Sequence, residues 1–295
     1  MVPKQPFMSD RPISGIIPPL ITPLTPDLAF DRSAFSQLVD HVIAGGVRGV
    51  FIQGTTGEFA GLTERIRTEM TDWACRSVDR RVPLLVNITS ASYLQTMELA
   101  RSAESAGADY LVLAPPFYFP MNQEEIRNYF EKVADRCSLP LVLYNAPQYT
   151  RNELEPSTVR ELARHSRISG IKDSSGNSDY LGQLLRERKE PYFSILVGPE
   201  KGLGDWILKG CDGGVNGGGN LFPGLYLEIF RAARQGETER VKFCQELIDR
   251  VRSRLYEVPD SPLGIVIALK YALSVKGIGS GTMALPVYEV LTEPQ

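Results

Sequence analysis

Lys172 closes an apolar, strand-like run in "SGIKDSSG" (169–176), a place where a lysine needs a reason. The chain has nine lysines, and the other eight fall on segments read as helices, loops or the N-terminal tail, where a solvated ammonium costs little. At a partly desolvated strand end the ammonium pKa is lowered, because burial penalises the charged form. The resulting neutral amine is a nucleophile toward carbonyl carbon. The competing reading is a buried ion pair with Asp173. Alternation along a strand argues against it, since Asp173 should face the other way.

An imine-forming lysine needs a proton shuttle, because carbinolamine formation, dehydration and enamine formation each move a proton. Tyr144, which opens "YNAPQYT" (144–150) at the end of another apolar run, could supply a phenol. Taken alone, it reads equally as a tyrosine bridging core and rim. "GTTGE" (54–58) offers two hydroxyls, Thr55 and Thr56, and successive amides through Gly57, a concave donor set suited to a carboxylate. Taken alone, it would be a tight turn leading into a helix.

These residues can meet only if the intervening elements bring strand ends to one mouth. Eight short β-rich runs alternate with segments of helical period: 15–21, 49–53, 83–88, 109–114, 139–144, 168–172, 193–197 and 212–217. The segment 32–44 places Phe35, Leu38, Val39, Val42 and Ile43 on one face and stops at Gly45-Gly46. Asn122 with Glu125 forms a capping-box pattern, and Pro156 suits a first helical turn. This predicts an α/β fold, a (β/α)8 TIM barrel over 1–222 with a short N-terminal tail. A three-helix C-terminal extension follows over 223–295, with helices at 223–235, 237–256 and 261–275 and breaks at Gly236 and Pro259. An open doubly wound sheet would want a nucleotide loop after an early strand, and no G-x-G-x-x-G or G-x-x-x-x-G-K-[ST] occurs there. In a barrel the active site lies at the C-terminal strand ends. The last of these presents Asn216 and Gly217 within "GGVNGGGN" (213–220), which reads either as a ligand contact or as close backbone packing.

Composition narrows the rest. Hydrophobic residues are 43%, charged residues 23% and net charge −3, with no basic run to track nucleic acid. Cys75, Cys137, Cys211 and Cys244 have no paired spacing, so a reducing, cytoplasmic setting is expected, and no apolar run is long enough to span a membrane. His41 and His165 each fall in a helical pattern and read as surface or packing residues, not metal ligands.

Over about residues 13 to 290, "GIIPPLITPL", "GTTGE", "YNAP", "GIKDSSG" and the glycine-rich last strand end resemble the pyruvate-dependent class I lyases that include dihydrodipicolinate synthase and N-acetylneuraminate lyase. The resemblance implies that Lys172 forms a Schiff base with a 2-oxo acid, without metal or organic cofactor. It implies that Tyr144 moves protons, that Thr55 relays them and that Thr56 holds the carboxylate. It also implies a homotetramer of paired dimers, with Tyr118 of "PPFYFP" entering a neighbouring subunit's site; Phe117 lies one register step away. Where the synthases carry an arginine, two residues after the proline of Y-N-x-P, this chain has Tyr149, and a phenol cannot reproduce a bidentate guanidinium contact. Where sialic acid lyases carry an acidic pair, it has Glu200-Lys201. The expected reaction is therefore condensation of pyruvate with an aldehyde, or cleavage of a 2-keto-3-deoxy sugar acid. Gln148, Tyr149, Ser174 and Glu200 are candidate contacts, and Ser174 could equally cap the following helix. The competing readings are synthase or sialic acid lyase activity proper, a 2-keto-3-deoxy acid dehydratase, and a silent oxo-acid-binding homologue.

Overall fold

Eight parallel strands alternate with helices along the chain, and the computed structural model describes residues 13–256, 261 and 263–284. The first half runs β1 Gly15–Ile16, α1 Arg32–Ala44, β2 Val50–Ile52, α2 Glu64–Val78, β3 Leu84–Asn87, α3 Tyr93–Ala106, β4 Tyr110–Leu113 and α4 Gln123–Ala134. It continues with β5 Leu141–Asn145, a single turn α5 Pro147–Thr150, α6 Pro156–Leu162, β6 Ile168–Asp173, α7 Ser178–Glu187, β7 Ser194–Val197, α8 Leu203–Leu208 and β8 Gly213–Gly214. The extension comprises α9 Pro223–Arg234, α10 Thr238–Val251, a π turn Arg252–Tyr256 and α11 Gly264–Val275.

Local chemistry sets the helix ends as expected. Asp31 caps α1 through the Ala34 amide, and Phe35, Leu38, Val39 and Val42 bury its inner face. Asn122 and Glu125 form the capping box of α4, and Pro156 opens α6.

The strands pair in the order β1-β8-β7-β6-β5-β4-β3-β2. Pro19 bridges Phe51 in parallel, with the Leu20 amide 2.7 Å from the Phe51 carbonyl, so the chain just after β1 meets β2 and closes the ring. The expected first strand over 15–21 shortens to two residues because Pro18 and Pro19 have no N–H to give a ladder. The seam between β1 and β8 is tight: a Cβ on Gly213 would lie 2.0 Å from the Gly15 carbonyl oxygen. The glycine run there is thus close backbone packing.

Two apolar layers result. One lies between strands and helices and includes Phe35, Met70, Phe130, Ile171 and Ile195; the other fills the barrel and includes Ile17, Phe51, Val112, Val142, Tyr144 and Leu196. In the extension, α9 packs on α8 and α10, and α11 packs on the π turn and on the turn at Gly217–Asn220. The helix expected over 237–256 is α10 followed by that π turn. The expected N-terminal tail, the Pro259 break and residues 285–295 lie outside the described residues. Among the described residues no helix is long and apolar enough to cross a membrane. His165 reaches Asp135 at 3.1 Å on the surface, and His41 is half-buried in the last turn of α1.

Candidate active site

β5 and β6 are in register with Tyr144 opposite Lys172 and Asn145 opposite Asp173. Alternation sends Ile171 to the helix layer and Lys172 into the barrel. There Lys172 is 5% exposed, with Nζ 4.1 Å from the Tyr144 ring centroid and 5.0 Å from that of Phe51. The π faces partly solvate a cation but supply no counter-charge. Asp173 is occupied elsewhere, accepting from Asn145 Nδ2 at 2.9 Å and from the Ser175 amide and hydroxyl. Burial therefore pulls the lysine pKa from 10.5 to about 7, with Asp173 opposing weakly.

The Tyr144 hydroxyl lies 2.9 Å from Thr55 Oγ1 and also hydrogen-bonds Ser174. Burial raises its pKa, and these two bonds oppose the rise. Thr55 belongs to the turn after β2. Among the described residues the amides of Thr55, Thr56 and Gly57 donate to no backbone acceptor, while the Gly57 carbonyl accepts from Thr22 Oγ1 at 2.7 Å. Successive amides without a backbone acceptor are the kind of donor set that suits an anion. A cavity of about 360 Å³ opens on Thr55 and Tyr144, walled by Phe59, Phe117, Tyr149 and Leu263 among others.

The remaining expected residues divide. Tyr149 lines the cavity, and Gln148 is exposed, its amide donating to the Ser174 carbonyl at 2.9 Å. Asn177, not Ser174, caps α7, because Ser174 is drawn to Tyr144. Asn216 is fully buried, its Nδ2 donating to the carbonyls of Val197 and Gly198. Gly217 is compressed against Ile265 and Leu269 of α11. Glu200 is buried too, accepting from the Gly218 amide at 2.7 Å, and so supports the glycine turn. Phe117 lines the cavity and packs edge-on to Phe59, whereas Tyr118 is 74% exposed with φ +92° and packs on Phe119.

The chain as a whole has close counterparts. The model of the Dihydrodipicolinate synthetase family matches residues 12–295. The chain belongs to that family. The putative 2-dehydro-3-deoxy-D-gluconate aldolase YagE of Escherichia coli K12 is 33% identical over 285 residues, covering 96% of this chain and 93% of that protein. A structure of YagE in complex with pyruvate superposes with a TM-score of 0.88 at 32% identity, covering 93% and 92% of the two chains. Dihydrodipicolinate synthase from Bacteroides thetaiotaomicron superposes with a TM-score of 0.92 at 39% identity, covering 96% and 95%. The protein is an enzyme of this family's pyruvate-dependent aldolase and lyase type.

Family membership makes two unforeseen features of the β2 turn stand out. Gln53 has φ 59°, an uncommon conformation for a residue with a side chain, and Arg67 of α2 holds it through Nε to Gln53 Oε1 at 2.9 Å. The same guanidinium donates to the carbonyls of Asn87 and Thr89, and burial lowers its pKa to about 10, with the Glu64 carboxylate opposing. The second feature corrects the sequence reading of the lysines: Lys270 of α11 is not solvated but 2% exposed, ion-paired with Glu58. Both residues interrupt helical patterns as ordinary surface cations would. The only signal was that each lies beside a residue of the inward face.

Proposed function

We propose that the protein joins pyruvate to an aldehyde, or cleaves a 2-keto-3-deoxy sugar acid to that pair, through an imine at Lys172. The observation that carries this is the sheltered amine, with a pKa of about 7, against a phenol already hydrogen-bonded to a second hydroxyl.

The neutral amine attacks the keto carbon of pyruvate, and the Tyr144–Thr55 pair carries a proton from nitrogen to the new oxyanion. Loss of water leaves the imine. Loss of a proton from the adjacent methyl gives the enamine, whose carbon attacks the aldehyde carbonyl while Tyr144 protonates that oxygen. Water then hydrolyses the imine and frees Lys172. Cleavage is the reverse sequence. The carboxylate sits on the amides from Thr55 to Gly57 with the Thr56 hydroxyl beside it. Tyr149, on the cavity wall, is the contact for the aldehyde end, with Gln148 and Ser174 bonded to each other as further candidates. No metal or organic cofactor takes part in this scheme. Synthase activity proper is the second reading, favoured by the 39% identity to the Bacteroides enzyme; Tyr149 in place of the arginine weighs against it.

Tyr118 and Phe119, exposed and packed edge-to-face with centroids 5.0 Å apart, support the reading that a second copy covers this rim in a homotetramer. Burial raises the pKa of the Cys137, Cys211 and Cys244 thiols, which suits a reducing cytoplasm.

Pyruvate with borohydride, followed by peptide mass mapping, tests the core of the proposal. Label on Lys172 is expected, and its absence leaves a silent oxo-acid binder. Aldehyde release from a 2-keto-3-deoxy sugar acid is the expected turnover; loss of water alone would make the protein a dehydratase.

A further inference from the structure

Glu58 ends the "GTTGE" turn, and Lys270 lies 212 positions later in the C-terminal extension. Their side chains, 4% and 1% exposed, form an ion pair. The pair is also tied in by hydrogen bonds: Lys270 Nζ donates to the Thr282 carbonyl at 2.7 Å, and the Ala284 amide donates to Glu58 Oε1 at 2.7 Å. Ser280 Oγ donates to the Leu24 carbonyl at 2.7 Å. One buried knot thus joins α11, residues 280–284 and the chain after β1 to the β2 turn.

The knot bears on Thr55 through the backbone. Glu58 sits at φ 56°, and its amide donates to the Thr55 carbonyl at 2.9 Å, closing the turn that displays the Thr55 hydroxyl. On the other side, Thr22 Oγ1 holds the Gly57 carbonyl, and a Cβ on Gly57 would come within 3.0 Å of the Leu20 carbonyl oxygen. The turn is gripped between the barrel and the extension. A buried ion pair is a poor way to gain stability, since a well-packed apolar pair does as well; what it adds is directional geometry. Catalytic groups need placement to about 0.5 Å, and the bond at stake here is the one between Thr55 and Tyr144.

We propose that Glu58 and Lys270 are a positioning pair through which the C-terminal extension sets the Thr55 hydroxyl against Tyr144 and so governs the proton-transfer steps. This rests on the relay role given to Thr55 and Tyr144 above.

The test follows exchange of the pyruvate methyl protons in D2O by NMR, which reads enamine formation with pyruvate as the sole substrate. Glu58→Gln/Lys270→Met should slow exchange at saturating pyruvate about 100-fold, as expected for a displaced catalytic group. It should change the half-saturating pyruvate concentration much less, and leave the melting temperature near that of the unmodified protein. Glu58→Gln alone, which keeps the acceptor for Ala284, should slow exchange about tenfold with the same small change in half-saturating pyruvate, and should also lower the melting temperature because Lys270 is left unpaired. In a Thr55→Val background the paired substitution should cost nothing further, because the two act on one step. Unchanged exchange, or a loss that multiplies with that of Thr55→Val, overturns the proposal. Borohydride labelling of Lys172 in the unmodified protein separates the two failures: label with a multiplying loss sinks the pair alone, and absence of label sinks the imine reading and this inference with it.

Discussion

Lys172 and Lys270 lie inside the same molecule, both almost free of solvent, and differ in what surrounds the ammonium. Around Lys270 a carboxylate and a carbonyl oxygen accept from it. Around Lys172 there are two aromatic faces and a carboxylate whose oxygens are already taken. Burial lowers the pKa of both lysines; at Lys270 the Glu58 carboxylate opposes the fall directly, whereas at Lys172 only Asp173, already committed to other donors, does so. On the proposed reading, one amine is kept without a free acceptor while a second, paired amine ties the extension to the turn beside it.

Removing each lysine is the strongest way to break this contrast. Lys172→Ala should lower turnover by about 10⁴-fold or more, as loss of a nucleophile does, while the protein stays folded; steady-state kinetics and circular dichroism check both halves. Tyr144→Phe should slow methyl-proton exchange by about 10² to 10⁴-fold, the range for a general acid–base, and leave the fold intact. Lys270→Met alone should destabilise by about 3–5 kcal/mol in denaturant unfolding, because Glu58 would be left as an uncompensated buried charge. Lys172→Met should not destabilise in that way, and a comparable loss there would erase the distinction.

The pH dependence sharpens the contrast further. The rate of borohydride-trappable imine formation should rise as pH passes through about 7 and level off above it, since only the neutral amine attacks. Stability should follow the same group. Between about 7 and 10.5 the unfolded chain holds a proton at this lysine that the folded chain has shed. The contribution of Lys172 to stability therefore improves with rising pH across that window. Thermal melts of the unmodified protein and Lys172→Met should converge as pH increases through it.

Sequence periodicity was enough to find the barrel and Lys172, because a strand has a period of two and a lone cation on its inward face is visible as an anomaly. Tyr144 and Thr55 were legible for a similar reason: Tyr144 lies near the end of β5 and Thr55 in the turn after β2, and in a barrel these ends share one mouth. Lys270 was not legible. A lysine in a helix reads as solvated, and its partner lies far away in sequence, so only the packing of α11 against the turn reveals the pair. Arg67 was hidden in the same manner, within the charged run "ERIRTEM". Glu200 and Asn216 were placed at the correct end of the barrel, but side-chain direction sends both into carbonyl and amide contacts beneath the rim. The two-residue lengths of β1 and β8 also escaped periodicity, since prolines and glycines set them.

The glycine seam has a bearing on when the enzyme acquires its chemistry. Gly15 and Gly213 come from opposite ends of the barrel sequence, so the last staves of the cylinder can join only after some two hundred residues have been made and ordered. Contacts of such long sequence separation form late and slowly. Until they do, water reaches the lumen and its amine titrates like any other lysine. On the proposed reading, the amine becomes reactive only with ring closure, and a chain in which Gly15 never meets Gly213 should give no pyruvate label on Lys172 under borohydride.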